Sequence, residues 1–139
     1  MKIKTDNIFQ ITEIEASPSK VYKALIDAKL HAKFTGMTAE LNPEVGGQFN
    51  TTDGESFGFF VHLEPNRKIV QAWSHRQFAP GTFTVVDIDL EKTETGTRLN
   101  FNHLAVPEEH SGWLTEGWKR IYWNPLKEFL EEKVLDKAK

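Results

Sequence analysis

Residues 82–134 read TFTVVDIDLEKTETGTRLNFNHLAVPEEHSGWLTEGWKRIYWNPLKEFLEEKV. Two periodicities meet inside this stretch. From Thr82 to Glu91, Val86, Ile88 and Leu90 alternate with Asp87 and Asp89, the period of a strand with one wet face. Thr97 to Leu104 repeats the pattern after a turn at Glu94-Thr95-Gly96. Beyond Ala105-Val106-Pro107 the apolar spacing changes to three and four. Trp113, Trp118, Ile121, Tyr122, Leu126, Phe129, Leu130 and Val134 mark a long aromatic helix. Pro125 lies inside it and is expected to kink it near Ile121, because proline removes a backbone donor. A helix this apolar must bury a face, and the preceding strands are the only partner large enough.

Upstream, the same reading gives more strands. Lys2 to Glu15 carries Ile3, Ile8, Phe9, Ile11 and Ile14 and reads as a first strand. Ser17-Pro18 opens a helix with the stripe Val21, Ala24, Leu25 and Ala28. Asp27 caps a second short helix that ends at Gly36. Leu41 begins a segment that Gly46-Gly47 breaks before Gln48-Phe49-Asn50, and Asp53-Gly54 is a hairpin turn. Phe57, Phe59, Val61 and Leu63 alternate with Gly58, Phe60 and His62. Ile69 to His75 follows a turn at Glu64-Pro65-Asn66-Arg67. The order strand, helix pair, hairpin strands, long helix defines an α+β fold with an antiparallel sheet of about six strands.

Composition sets the outer bounds. A chain of 139 residues reads as one domain, residues 1–139, with 39% hydrophobic and 27% charged residues. No cysteine is present, which excludes disulfides, thiolate metal sites and cysteine nucleophiles. The net charge of −3 gives no nucleic-acid footprint. No apolar run reaches the roughly 18 residues of a membrane span, and the N-terminus has no signal-peptide pattern. A cytoplasmic location is expected.

Several ordered features are recognisable together. They are Ser17-Pro18-Ser19-Lys20-Val21-Tyr22-Lys23-Ala24-Leu25, Gly46-Gly47-Gln48-Phe49, and Gly58 to Val70 leading to Trp73. Gly96-Thr97-Arg98-Leu99 with His103, then Gly117-Trp118 with Leu126, complete the set. The sequence resembles the family named for activators of the heat-shock-protein-90 ATPase, within the START-like, Bet v-like (SRPBCC) superfamily. Residues 34–129 are also similar to the C-terminal domain of that family's eukaryotic members. The resemblance implies a helix-grip fold, a curved sheet wrapped around the C-terminal helix with a cavity between them. Superfamily members bind lipids, hormones or polyketides, act as cyclases or aromatases, or contact proteins.

The candidate site follows from that cavity. Phe49, Phe59, Trp73, Phe83, Phe101, Trp118 and Tyr122 supply aromatic walls, and His103 a polar group to orient a ligand. Arg98, Glu64 and Gln71 are further polar candidates, although Arg98 suits carboxylate pairing at a strand edge. The histidines His31, His62, His75, His103 and His110 lack a helical His-x-x-x-His pair, so no metal site is expected. Asp87 and Asp89 point to water opposite Val86, Ile88 and Leu90. No nucleophile elbow or phosphate-cradling loop occurs, so no catalytic residue and no cofactor is expected. The expected partner is a hydrophobic small molecule, and the second choice is a chaperone or other protein contact. An enzyme such as a cyclase or hydrolase acting on an apolar substrate is the third. A monomer or weak homodimer fits either of the first two.

Overall fold

The computed structural model describes residues 3–138, with side chains for 3–131. Val134 of the apolar stripe lies outside the described side chains. Seven strands form one antiparallel sheet in the order β1-β7-β6-β5-β4-β3-β2. Their spans are β1 Thr5–Ile14, β2 Glu40–Leu41, β3 Gln48–Thr51, β4 Ser56–Glu64, β5 Lys68–His75, β6 Thr84–Lys92 and β7 Thr97–Pro107. The seventh strand arises because the segment begun at Leu41 is split by the Gly46-Gly47 break into β2 and β3. The helices are α1 Pro18–Ile26, α2 Ala28–Thr35, α3 Glu108–Gly117 and α4 Asn124–Ala138. Sequential hairpins build β3 to β7, while β1 crosses to pair with β7 from Thr5↔Pro107 to Ile14↔Thr97.

The inner face collects alternate residues of every long strand. Ile8, Phe60, Ile69, Trp73, Val86, Ile88, Leu90, Leu99 and Phe101 meet Val21, Leu25, Phe34, Leu114, Leu126 and Leu130 from the helices. Asp87 and Asp89 lie on the opposite face, both paired with Lys68, at 3.0 and 3.8 Å. Arg98 reaches Glu13 at 2.7 Å and Glu91 at 3.5 Å on that face.

On β4 the phase differs from the simple alternation. Phe60 is the buried ring, and Phe57 and Phe59 face outward. A bulge between Phe60 and His62 then shifts the register, so Leu63 opposes Ile69. Gly58 permits the tight approach of β4 to β5, since a Cβ there would sit 1.9 Å from the Ala72 carbonyl oxygen.

The two short helices are joined by a single residue, Asp27. Its backbone N–H closes α1 on the Lys23 carbonyl, and its side chain accepts from Leu30 N at 3.0 Å to start α2. Replacing Asp27 with alanine is expected to cost about 1 kcal/mol, measured by urea denaturation.

Pro125 acts one turn upstream of itself. It offers no N–H to the Ile121 carbonyl, and Trp118–Trp123 winds as a π-helical turn between α3 and α4. The Asn124 N–H bonds to Lys119 O, five residues back. The wider turn places residues five apart on one side, so Trp118 and Trp123 stack at 5.6 Å with 12° between planes. Regular helical spacing rotates Trp123 off the Trp118/Tyr122 face, but here it is buried, 2% exposed. Its Nε1 donates to Gln10 Oε1 at 2.7 Å, and Gln10 Nε2 donates to the Thr115 carbonyl.

Candidate functional site

The helix-grip interior is nearly full. Between sheet and helices remains an inner chamber of about 20 Å³, walled by Leu25, His31, Leu41, Phe49, Thr51, Ile69, Gln71 and Ile88. Trp73, Trp118 and Tyr122 close its outer side. The same three rings form the floor of a much larger outer cavity, about 390 Å³, open to solvent. The β3–β4 hairpin lines it with Thr52, Glu55 and Ser56, the end of β5 with His75, and the turn after β5 with Gln77. α3 and the π turn add Trp113, Leu114, Gly117, Arg120 and Ile121, and Met37 completes the rim.

The polar groups of this outer cavity have distinct states. His75 Nδ1 accepts from the Gln77 backbone N–H at 3.1 Å, so the neutral ring carries its proton on Nε2. Burial lowers the His75 pKa, partly opposed by the Glu55 charge. Its ring meets Trp113 edge-on at 4.8 Å, and Trp113 Nε1 donates to His110 Nδ1 at 3.0 Å. Arg120 and Glu55 have no ion-pair partner among the described residues. Burial pushes the Tyr122 hydroxyl up to about 12, so it stays a neutral donor, aimed at Thr51 Oγ1 3.4 Å away.

His103 sits behind this wall. It is 0% exposed. Trp118 Nε1 donates to its Nδ1 at 3.0 Å, which fixes the proton on Nε2. Nε2 faces Thr84 Oγ1 at 2.7 Å, and that hydroxyl donates to the Trp73 carbonyl at 2.8 Å. Burial lowers the His103 pKa to about 3. With both nitrogens used and no opening beside it, His103 braces the two tryptophans of the wall.

The sequence-predicted residues therefore separate into three groups. Trp73, Trp118 and Tyr122 come together at the shared wall, and Phe49 lines the inner chamber. Phe101 and His103 lie in the packed layer beneath, with Phe101 4.5 Å from Trp118 between ring centres. Phe59 and Phe83 lie on the sheet's outer face, 42% and 48% exposed, because Phe60 takes the inward slot on β4 and Thr84 on β6. They pack on one another at 6.3 Å and, with Phe49, Phe57 and Gly58, line a separate open groove of about 410 Å³ at that face. Of the further polar candidates Arg98, Glu64 and Gln71, only Gln71 reaches the interior. Glu64 pairs outside with His62 at 3.0 Å. Among the described residues no group of three or more potential metal ligands forms, and no helix is long and apolar enough to cross a membrane.

Glu55 and Arg120 escaped the sequence reading, and His75 was weighed only among the histidines, not as a site residue. His75 shares the face of Ile69, Gln71 and Trp73 by strict period two, so its place beside Trp73 was readable. Arg120 enters the cavity wall through the π turn, whose winding no local spacing announces.

A seven-stranded antiparallel sheet gripping a C-terminal helix, with an aromatic wall between two cavities, defines a helix-grip domain. The family model described as Activator of Hsp90 ATPase homolog 1-like protein matches residues 15–131, and the chain belongs to that family. The human activator of 90 kDa heat shock protein ATPase homolog 1 is 27% identical over 128 residues, covering 92% of this chain. The homologous Dictyostelium discoideum activator is 27% identical over 116 residues, 83% of this chain. The chain spans 38% of the human protein's length and 30% of the Dictyostelium one. The crystal structure of an HSP90 activator from Plasmodium falciparum superposes with a TM-score of 0.81 at 23% identity, covering 90% of this chain and 96% of that one. The solution structure of the Aha1 dimer from Colwellia psychrerythraea gives 0.78 at 23% identity, covering 91% and 96%. At these identities the likeness to the solved structures is one of fold.

Proposed function

We propose that this domain binds a flat, largely apolar small molecule in the outer cavity. The observation that carries the reading is the open, aromatic-floored space of about 390 Å³ beside a nearly full interior. That volume falls within the range of ligand pockets, which are mostly apolar with a few placed polar groups. Trp73, Trp113 and Trp118 offer ring faces and edges. Arg120 and the His75 Nε2–H offer donors to an acceptor on the ligand, and Glu55 offers an acceptor to a donor. No side chain here is arranged as a nucleophile with its base, so binding rather than turnover is the reading.

The test is a tryptophan-fluorescence and calorimetric titration with a fatty acid, a sterol, a flavonoid and a polyketide-like aromatic. Saturable binding of a ring-bearing member is expected. Trp113→Ala is expected to weaken it about tenfold, roughly one lost ring contact of 0.5–1.5 kcal/mol, with little change in stability because Trp113 is 36% exposed. Binding unaffected by Trp113→Ala and by Arg120→Ala would remove the outer cavity as the site.

A second reading rests on the sheet's outer face. Phe59, Ala72, Val85 and Leu104 lie directly opposite one another across four strands, and Phe83 packs beside them. An exposed apolar row of this kind marks protein contacts. Set beside relatives named as activators of the heat-shock-protein-90 ATPase, it supports contact with that chaperone. Phe83→Ser, at an exposed position that the core does not need, is expected to abolish any stimulation of the chaperone's ATPase. No stimulation and no binding by the unaltered chain would remove this reading.

A further inference from the structure

One buried side-chain polar atom among the described residues has no hydrogen-bond partner, Nδ1 of His31. His31 is 4% exposed and its ring is a wall of the inner chamber. A buried polar atom left unpaired forfeits the whole of its hydration, and native proteins rarely leave one so. The chamber itself holds about 20 Å³. One water requires roughly 10–15 Å³ and two to four polar partners.

Those partners are present. Thr51 and Tyr122 line the chamber, and their hydroxyls stand 3.4 Å apart, beyond the usual O–H···O range of about 2.5–3.0 Å. Gln71 faces the chamber from β5, and no protein group among the described residues bonds its amide. The remaining walls are apolar, so these few polar groups share a small chamber in otherwise dry surroundings. A group that both donates and accepts suits His31 Nδ1 in either neutral tautomer.

We propose that the inner chamber is a binding site for a single hydroxyl oxygen, hydrogen-bonded to His31 Nδ1 and bridging to the Tyr122–Thr51 pair. In the free protein a water supplies it. In a complex the ligand's own hydroxyl supplies it, entering where one of the shared rings Trp73, Trp118 and Tyr122 swings aside, since these rings are all that separates chamber from outer cavity. The second half rests on the small-molecule reading above, and the first half does not. The site selects apolar ring systems that end in a phenol or alcohol.

The first arm uses the free, isotope-labelled chain and no ligand. Water-selective NOE and ROE spectra are expected to show cross-peaks of a long-lived water to the His31 ring protons and the Thr51 methyl group. His31→Phe, which keeps the ring and removes its nitrogens, is expected to lose the Thr51 cross-peak. Absence of both cross-peaks in the unaltered protein overturns the site, and that result does not depend on how the variant folds.

The second arm compares 2-naphthol with naphthalene by calorimetry. The unaltered protein is expected to prefer 2-naphthol by about tenfold or more, since a buried polar group left unpaired penalises the congener without the hydroxyl. His31→Phe is expected to bring the ratio to about one. Equal affinities in the unaltered protein overturn the ligand half and leave the outer cavity as a binding site. Binding of neither probe counts against the small-molecule reading and the ligand half together, while the spectra still decide the chamber.

Discussion

Replacing His103 with alanine is expected to lower the unfolding free energy by about 4 kcal/mol, read by urea denaturation followed through tryptophan fluorescence. The magnitude has two sources. Truncating a fully buried ring leaves a cavity, and aromatic-to-alanine changes cost about 3–5 kcal/mol. Trp118 Nε1 also loses its acceptor, and an orphaned buried donor costs about 1–3 kcal/mol. The two overlap, because water admitted to the new space repairs part of the second. His103→Phe separates them. It restores ring contacts to Trp73, 4.8 Å away, and to Trp118, 5.7 Å away, but not the acceptor, and is expected to recover about half the loss. Thr84→Val is expected to cost about 1–2 kcal/mol and to couple strongly with either variant, since both act on one chain of hydrogen bonds. The same variants decide what His103 is for. As a brace it leaves ligand affinity in the outer cavity nearly unchanged in a folded His103→Phe protein. A tenfold or greater loss of affinity there would make it a ligand contact instead.

The contrast between His103 and its neighbours shows what the sequence could and could not convey. Period two placed Val86, Ile88 and Leu90 inside and Asp87 and Asp89 outside, because an antiparallel strand with one covered face has only that solution. The caps at Ser17, Asp27 and Gly36 were legible because each is a local bond, and each is present. What failed was phase. On β4 the string Phe57 to Leu63 carries apolar residues at both parities, so alternation alone cannot choose a face. The choice of Phe60 depends on the Gly47–Phe60 backbone pairing and on the bulge after it. In the C-terminal helix Pro125 announced a disturbance, but its form, a π turn that brings Trp118 and Trp123 onto one side, comes from packing against Gln10 and Phe101. Whether a buried aromatic lines a space or fills it is likewise settled by volumes from three elements at once. Trp73 and Phe101 read alike as sequence, yet one walls a cavity and the other does not.

Stability is expected to fall by about 4 kcal/mol between pH 7.5 and pH 5.0, a range in which carboxylates stay mostly ionised. Two histidines set this. Burial lowers His31 from an ordinary value of 6.5 to about 4, and His103 to about 3. Above pH 6.5 both rings are neutral in folded and unfolded chains alike, and the full stability is present. Below 6.5 the unfolded chain takes up protons that the folded chain refuses, so acid favours unfolding. Each ring contributes about 1.4 kcal/mol per pH unit, or about 2 kcal/mol down to pH 5.0. His75, lowered by the same cause, adds in the same direction. Glu64 and Glu131, which are held below their ordinary value, add only in more acid solution and steepen the loss there. Urea midpoints at pH 7.5, 6.0 and 5.0 measure the slope, and His31→Phe is expected to reduce it by one proton. A flat profile over this range would mean that the folded protein protonates both rings. A protonated His103 has no free lone pair on Nδ1, so the Trp118 bond, and with it the brace behind the cavity wall, would have to be abandoned.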